Sequence, residues 1–209
     1  MKFEAMAVTM PEVPEHPNRV PFEGILTVVD EPSTRPPAGA RGHRVVLTRA
    51  AAQAALPSLL GMGVDFTPAW DGHDARRKCG VITEADVVGR HLKVSGYLYA
   101  KDFPEVARHL RQAAAGSMGM SYELANAHVE DMNAEVWKLT RATFTGAAIL
   151  LRTKAAYQDT HFALAPQRCR TLAAAGAARC VSRTASRESA RRNVVVQPGK
   201  DTRWKSTKY

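Results

Sequence analysis

The sequence predicts an α+β fold that is mainly β: an antiparallel β-barrel or curled sheet flanked by two or more helices, with a disordered basic C-terminal tail. Three observations lead there. Strand-like segments outnumber helical ones and come in hairpins rather than βαβ units, which excludes a Rossmann-like sheet. Only two stretches carry helix signals. Beyond residue 164 the apolar pattern dissolves, dividing the chain into a domain at 1–164 and a tail at 165–209.

Residues 2–9 suit a short strand, and 22–29 (FEGILTVV) is β-branched and aromatic enough for a buried one. Residues 31–42 (EPSTRPPAGARG) hold too much Pro and Gly for helix or ladder. A short strand at 45–47 leads to Thr48, a natural N-cap for an alanine-rich helix that Pro57 breaks and Gly61 follows. Residues 79–88 and 92–99 read as a hairpin through Gly89-Arg90. In the second strand Leu92, Val94 and Leu98 alternate with Lys93, Ser95 and Tyr97, the period of a half-buried strand. Asp102 with Glu105 forms a capping-box pattern, Phe103, Val106, Ala107 and Leu110 share one helix face, and Gly116 marks its end. Two long strands follow at 118–129 and 136–151, joined by a polar turn at 130–133. Trp70, Tyr97, Tyr99 and Trp137 read as core or sheet aromatics, and Met118 and Met120 as packing residues.

The net charge of +9 suggests a nucleic-acid partner until it is located. Eleven of the 29 basic and two of the 20 acidic residues lie from 165 onward, leaving eighteen of each sign before it. A basic nucleic-acid-binding domain is therefore not supported. A basic tail is, suited to an acidic scaffold, a capsid interior or DNA, or simply to a solvated end. Cys79, Cys169 and Cys180 lack metal spacing and even number, as free thiols in a reducing cytoplasm do. His16, His43, His91, His109 and His161 show no ligand spacing, so no metal or other cofactor is expected. No run approaches the roughly 18 apolar residues of a membrane span, and residues 1–20 do not read as a signal peptide. A soluble intracellular protein is expected.

The chemistry-bearing stretch is GSMGMSYE at 116–123, with His73 upstream in WDGHD. A serine hydroxyl is a poor nucleophile until a base takes its proton, and histidine is the usual base. Ser121 lies inside an apolar strand, where a hydroxyl needs a partner. Ser117, the competing choice, sits near the helix end, where serine is commonly a local hydrogen-bonding residue. Asp71 and Asp74 flank His73, either tuning it or solvating a loop.

In chain order, GMGVDFTPAWDGHDARRKCGVITEA, VSGYLYAKDFPEVARHL, GMSYEL and VWKLTRATFTGAAILLRTKAAY resemble the phage prohead (capsid maturation) proteases, whose fold is related to the herpesvirus assemblin proteases. The resemblance covers 20–157 and leaves out the tail. It implies a serine endopeptidase with Ser121 as nucleophile and His73 as general base. The implied substrates are the major capsid protein and scaffold, with self-cleavage in the tail. The implied setting is the assembling procapsid in a bacterial host cytoplasm, with a homo-oligomer expected and no membrane partner. The third catalytic group departs from the pattern. Many relatives have a carboxylate in the strand matching 136–140, and assemblins use a second histidine, whereas here that strand offers Lys138 and Thr140. Glu123, Glu135, Asp74 and His128 are the nearby alternatives, a Ser–Lys pair through Lys138 is another, and Arg141 or Gly146 are candidates near an oxyanion. The missing carboxylate favours a rival, a non-catalytic capsid-assembly protein that keeps the fold and anchors by its tail. A third reading, nucleic-acid binding, rests on the tail alone.

Overall fold

A computed structural model describes residues 6–8, 13 and 16–165. The expectations for the tail, and for residues 2–5 and 9 of the N-terminal strand, lie outside them.

Among the described residues nine strands form a single mixed, mainly antiparallel sheet: β1 (Met6–Ala7), β2 (Arg19–Val28), β3 (Arg44–Leu47), β4 (Gly63–Asp65), β5 (Lys78–Val88), β6 (His91–Tyr99), β7 (Met118–Val129), β8 (Val136–Leu151) and β9 (His161–Leu164). The spatial order is β3-β8-β4-β5-β6-β2-β9, with β1 beside β5 and β7 beside β8. The sixteen-residue β8 is the spine. One of its edges takes β7 antiparallel; the other takes β3 and then β4, both parallel. The sheet curls without closing. Gly24 of β2 leaves room for the Met120 side chain of β7, yet no ladder joins β7 to β9 among the described residues. The curled sheet, rather than the barrel, is the architecture.

The alternation in β6 appears as expected, with Leu92, Val94 and Leu98 buried. Phe22, Leu26, Leu47, Leu59, Phe66, Ile82, Met120 and Ile149 complete the core at 2% exposure or less. β9, which the sequence reading passed over, adds Phe162, stacked on Phe22 at 4.9 Å.

Helix α1 (Arg49–Ala55) is capped by Thr48, whose Oγ1 accepts from the Ala51 N–H. Pro57 converts the continuation into a 3-10 turn, Leu56–Leu59, because proline cannot supply the next helical N–H. Helix α2 (Pro104–Gln112) departs from expectation at both ends. Its N-cap is Phe103, with Pro104 in the first turn and no side-chain cap. Asp102 instead accepts a 2.7 Å hydrogen bond from Asn18 Nδ2, and that competing donor removes it from the cap. The helix ends at Gln112, where Ala113 turns extended; Gly116 lies in the turn beyond, at φ 73°.

Candidate active site

β4 is short, but its three residues join the two halves of the sheet. Val64 and Asp65 pair with Ala147 and Ala148 of β8 on one side and with β5 on the other. Asp65 is fully buried in an apolar neighbourhood, Gly63-Val64-Asp65-Phe66. A carboxylate there is costly unless it is paired. Two groups face it: the Lys78 ammonium, Nζ at 2.7 Å from Oδ2, and the His73 ring, Nδ1 at 3.3 Å from Oδ1. Burial alone would raise the Asp65 carboxyl, but His73 and Lys78 together hold it below the usual carboxylate range.

His73 is carried by the loop 66–77, which is fixed at several points. Trp70 stacks between Phe66, at 5.3 Å, and His109 of α2, at 4.3 Å. Its carbonyl accepts from the Leu151 N–H at the end of β8, and its backbone takes φ 55°, rare for a bulky residue. Thr67 Oγ1 donates to Asp71 Oδ1, and Asp74 pairs with Arg76 and Arg77. The two aspartates flanking His73 are thus engaged with the loop rather than with the imidazole. In Asp74 the Arg76 backbone N–H is the first cause of a lowered carboxyl.

Register brings the serine to this corner. Ala148 of β8 lies opposite Asp65 on one edge and Ser121 on the other. Directly opposed residues project from the same face of a sheet, so Asp65, Ala148 and Ser121 form one row, with the end Cα atoms about 10 Å apart. An imidazole and its two hydrogen bonds span such a gap. His73 Nδ1 and Nε2 and Asp65 Oδ1 are buried without a hydrogen-bond partner, the 3.3 Å approach lacking the alignment of a formed bond. With the N–H on Nδ1 facing Asp65, the ring nitrogen left open is Nε2, an acceptor that makes no hydrogen bond to Ser121 in this structure. Nδ1 and Oδ1 face each other, so Nε2 is the buried atom without a neighbour, a rare condition in folded proteins that marks a candidate site.

The other sequence candidates fall elsewhere. Ser117 Oγ donates to the Ala114 carbonyl, a local turn bond. Lys138 is paired with Glu130 at 2.9 Å, ten residues along β8 from Ala148 and so about 33 Å away. Arg141 is opposite His128, about 23 Å from Ala148 by the same rise. Neither reaches the row, which sets aside the Ser–Lys pair and the arginine as an oxyanion partner. His128 Nδ1 is 2.9 Å from Thr140 Oγ1 on the far part of the ribbon, and His43, just before β3, brings its Nδ1 to the Glu135 carbonyl. Gly146 and Glu123, by contrast, are opposed to each other two residues from the Ala148–Ser121 pair.

The carboxylate beside His73 therefore comes from β4, not from the strand at 136–140. Its signal was in the sequence: an acid inside an apolar strand raises the same need for a partner that singled out Ser121. Cys79, next to Lys78, is no nucleophile. Burial pushes its thiol up to about 12, and Sγ lies 3.4 Å from the Val64 carbonyl. A surface cavity of about 570 Å³, lined by Glu23, Glu84, Asp86, Lys93 and His161 among others, includes none of the row. Among the described residues no group of three or more His, Cys, Asp or Glu could hold a metal ion, and no helix is long and apolar enough to cross a membrane.

No family model and no curated protein matches the chain. Among solved structures it is similar to the KSHV protease in complex with a hexapeptide phosphonate inhibitor, at 12% identity and a TM-score of 0.35. The match covers 62% of this chain and 59% of that one, a likeness too weak to assign a function.

Proposed function

We propose that the chain is a serine endopeptidase that cleaves scaffold, the major capsid protein or both during phage procapsid maturation. The observation that carries the catalytic part is the His73 imidazole, facing Asp65 through Nδ1 with Nε2 buried and open, in a corner whose register also includes Ser121. The capsid substrates rest on the family resemblance of residues 20–157. In this reading Ser121 Oγ attacks the scissile carbonyl carbon and His73 Nε2 takes its proton. The tetrahedral intermediate collapses, the leaving amine receives that proton, and water then releases the acyl group by the same route. Asp65 is a positioning residue: it favours the tautomer with the proton on Nδ1 and balances the imidazolium. The enzyme acts inside the assembling procapsid in the host cytoplasm, as a homo-oligomer, and the basic tail serves as a self-cleavage region or a nucleic-acid contact.

The rival assembly-protein reading drew on the missing acid, and Asp65 supplies one. The test is co-expression with a candidate major capsid protein, followed by intact-mass analysis of both partners. The wild type should cleave, and Ser121→Ala should lower cleavage by about a thousandfold or more. Cleavage that survives Ser121→Ala and disappears in Ser117→Ala would move the nucleophile. Particles that assemble uncut by the wild type would hand the case to the non-catalytic assembly protein.

A further inference from the structure

Resting on that reading, the row next to Ser121 carries information about substrate choice. Glu123 follows Ser121 by two residues on β7 and so shares its face of the sheet. Its cross-strand partner is Gly146, and a methyl group built on Gly146 would collide with the Glu123 carboxylate. The missing side chain is what lets that carboxylate lie over the β8 backbone beside the serine. The β7–β8 ladder shifts register immediately after this pair, leaving Thr145 as an extra residue. A bulge bends the ribbon and re-aims the side chains beside it. Glu123 therefore stands at the last regular pair, at the exposed mouth of the row.

The electrostatic balance around the row is uneven. Lys78 lies over Gly63 and turns its ammonium to Asp65, so its charge is already engaged. Asp74 is answered by Arg76 and Arg77. Glu123 has neither an ion pair nor a hydrogen bond among the described residues. Two charges without an ion pair therefore flank Ser121 along β7: the exposed Glu123 carboxylate on one side and Arg152, packed on Gly119, on the other.

We propose that Glu123 is a specificity-determining residue, selecting a substrate with a lysine or arginine side chain within two residues of the scissile bond. A peptide lying along β7 with its scissile carbonyl at Ser121 passes Glu123 within that distance, because alternate residues on a strand share a face. An exposed pair of this kind is worth a few-fold in rate and weakens with salt.

The experiment uses the full chain and a peptide library drawn from the major capsid protein sequence, with each position near the cleaved bond varied among Lys, Gln and Glu. The wild type should prefer Lys over Gln at one position by about three- to fivefold in kcat/KM, less at high salt. Glu123→Gln should flatten that preference, and Glu123→Lys should turn it toward Glu. Gly146→Ala, which displaces the carboxylate and keeps its charge, should also weaken it. Cleavage by the wild type without a charge preference, or a Lys preference that survives Glu123→Lys, would overturn this proposal and leave the protease reading standing. If no peptide is cut and a peptidyl phosphonate fails to label Ser121, both fall together.

Discussion

Residues 118–123 and 146–151 of the β7–β8 ribbon pair in unbroken register, whereas residues 124–144 shift register three times on the way to the far turn. The two halves hold similar side chains. Near the first lie His73, Lys78 and Asp65; on the second lie His128 with Thr140 and Lys138 with Glu130. What differs is water. Asp65 is fully buried, while Lys138 and Glu130 are each about half exposed, at 52% and 55%. Solvent satisfies the outer polar groups whatever their neighbours do, so their contacts carry little free energy and their register is free to slip. In the inner corner every partner counts, and the open His73 Nε2 there stands out for the same reason. Identical residue types thus support a site in one place and a solvated ribbon in the other.

The largest expected contrast comes from removing the lysine in each half. Lys78→Met leaves the Asp65 charge buried with His73 as its remaining partner and should destabilise the fold by about 3 kcal/mol. Lys138→Met should change stability by less than about 0.5 kcal/mol. Urea unfolding of both variants beside the wild type measures the difference. Equal costs would mean that burial is not what separates the two halves.

Acid sharpens the same contrast. The Asp65 carboxyl is lowered in the folded chain, where His73 and Lys78 outweigh the opposing effect of burial. The folded state therefore binds fewer protons at this position than the unfolded one, whose aspartate titrates near pH 3.9 or about that value. The stabilisation is full above the unfolded value and is lost as pH falls through the lower, folded one. Asp65→Asn should be less stable than the wild type at pH 7, and the gap should narrow below about pH 4. Asp74 bends the acid limb as well, so the readout is the gap between the two proteins across a pH series of unfolding curves. A gap independent of pH would mean that the Asp65 charge contributes nothing.

How much of this was legible in the sequence follows the range of the forces involved. The β5–β6 hairpin, β7 and β8 could be read because alternation and turn residues are local signals. β9 has four residues and exists through pairing with residues 22–25 of β2, far away in the chain. The parallel seats of β3 and β4 on β8 were equally invisible, since register across some eighty residues leaves no local trace. Asp102 was misread as a cap because Asn18, its actual partner, is eighty-four residues away. His73 and Ser121 were chosen as candidates from their chemistry and from the family resemblance. That Asp65 ends a row with Ser121 at its other end needed β8, whose Ala148 pairs with both flanking strands.

The smallest expected effect concerns Cys79, one residue from Lys78 and inside the same corner. With no exposed surface and its thiol pushed up to about 12, Cys79 holds almost no thiolate at pH 8, and reagent cannot reach it without an opening of the β4–β5 edge. Iodoacetamide at pH 8 should leave Cys79 unmodified in the native wild type and modify it fully in denaturant, as read by peptide mass mapping of that cysteine alone. In Lys78→Met the weakened corner should open more often, and slow native-state labelling of Cys79 should appear; Lys138→Met should label no faster than the wild type. A rise in Lys78→Met that matches the stability it loses in urea would place the cost of losing Lys78 in global unfolding. A larger rise would locate it at the β4–β5 edge, where Asp65 holds the loop that carries His73.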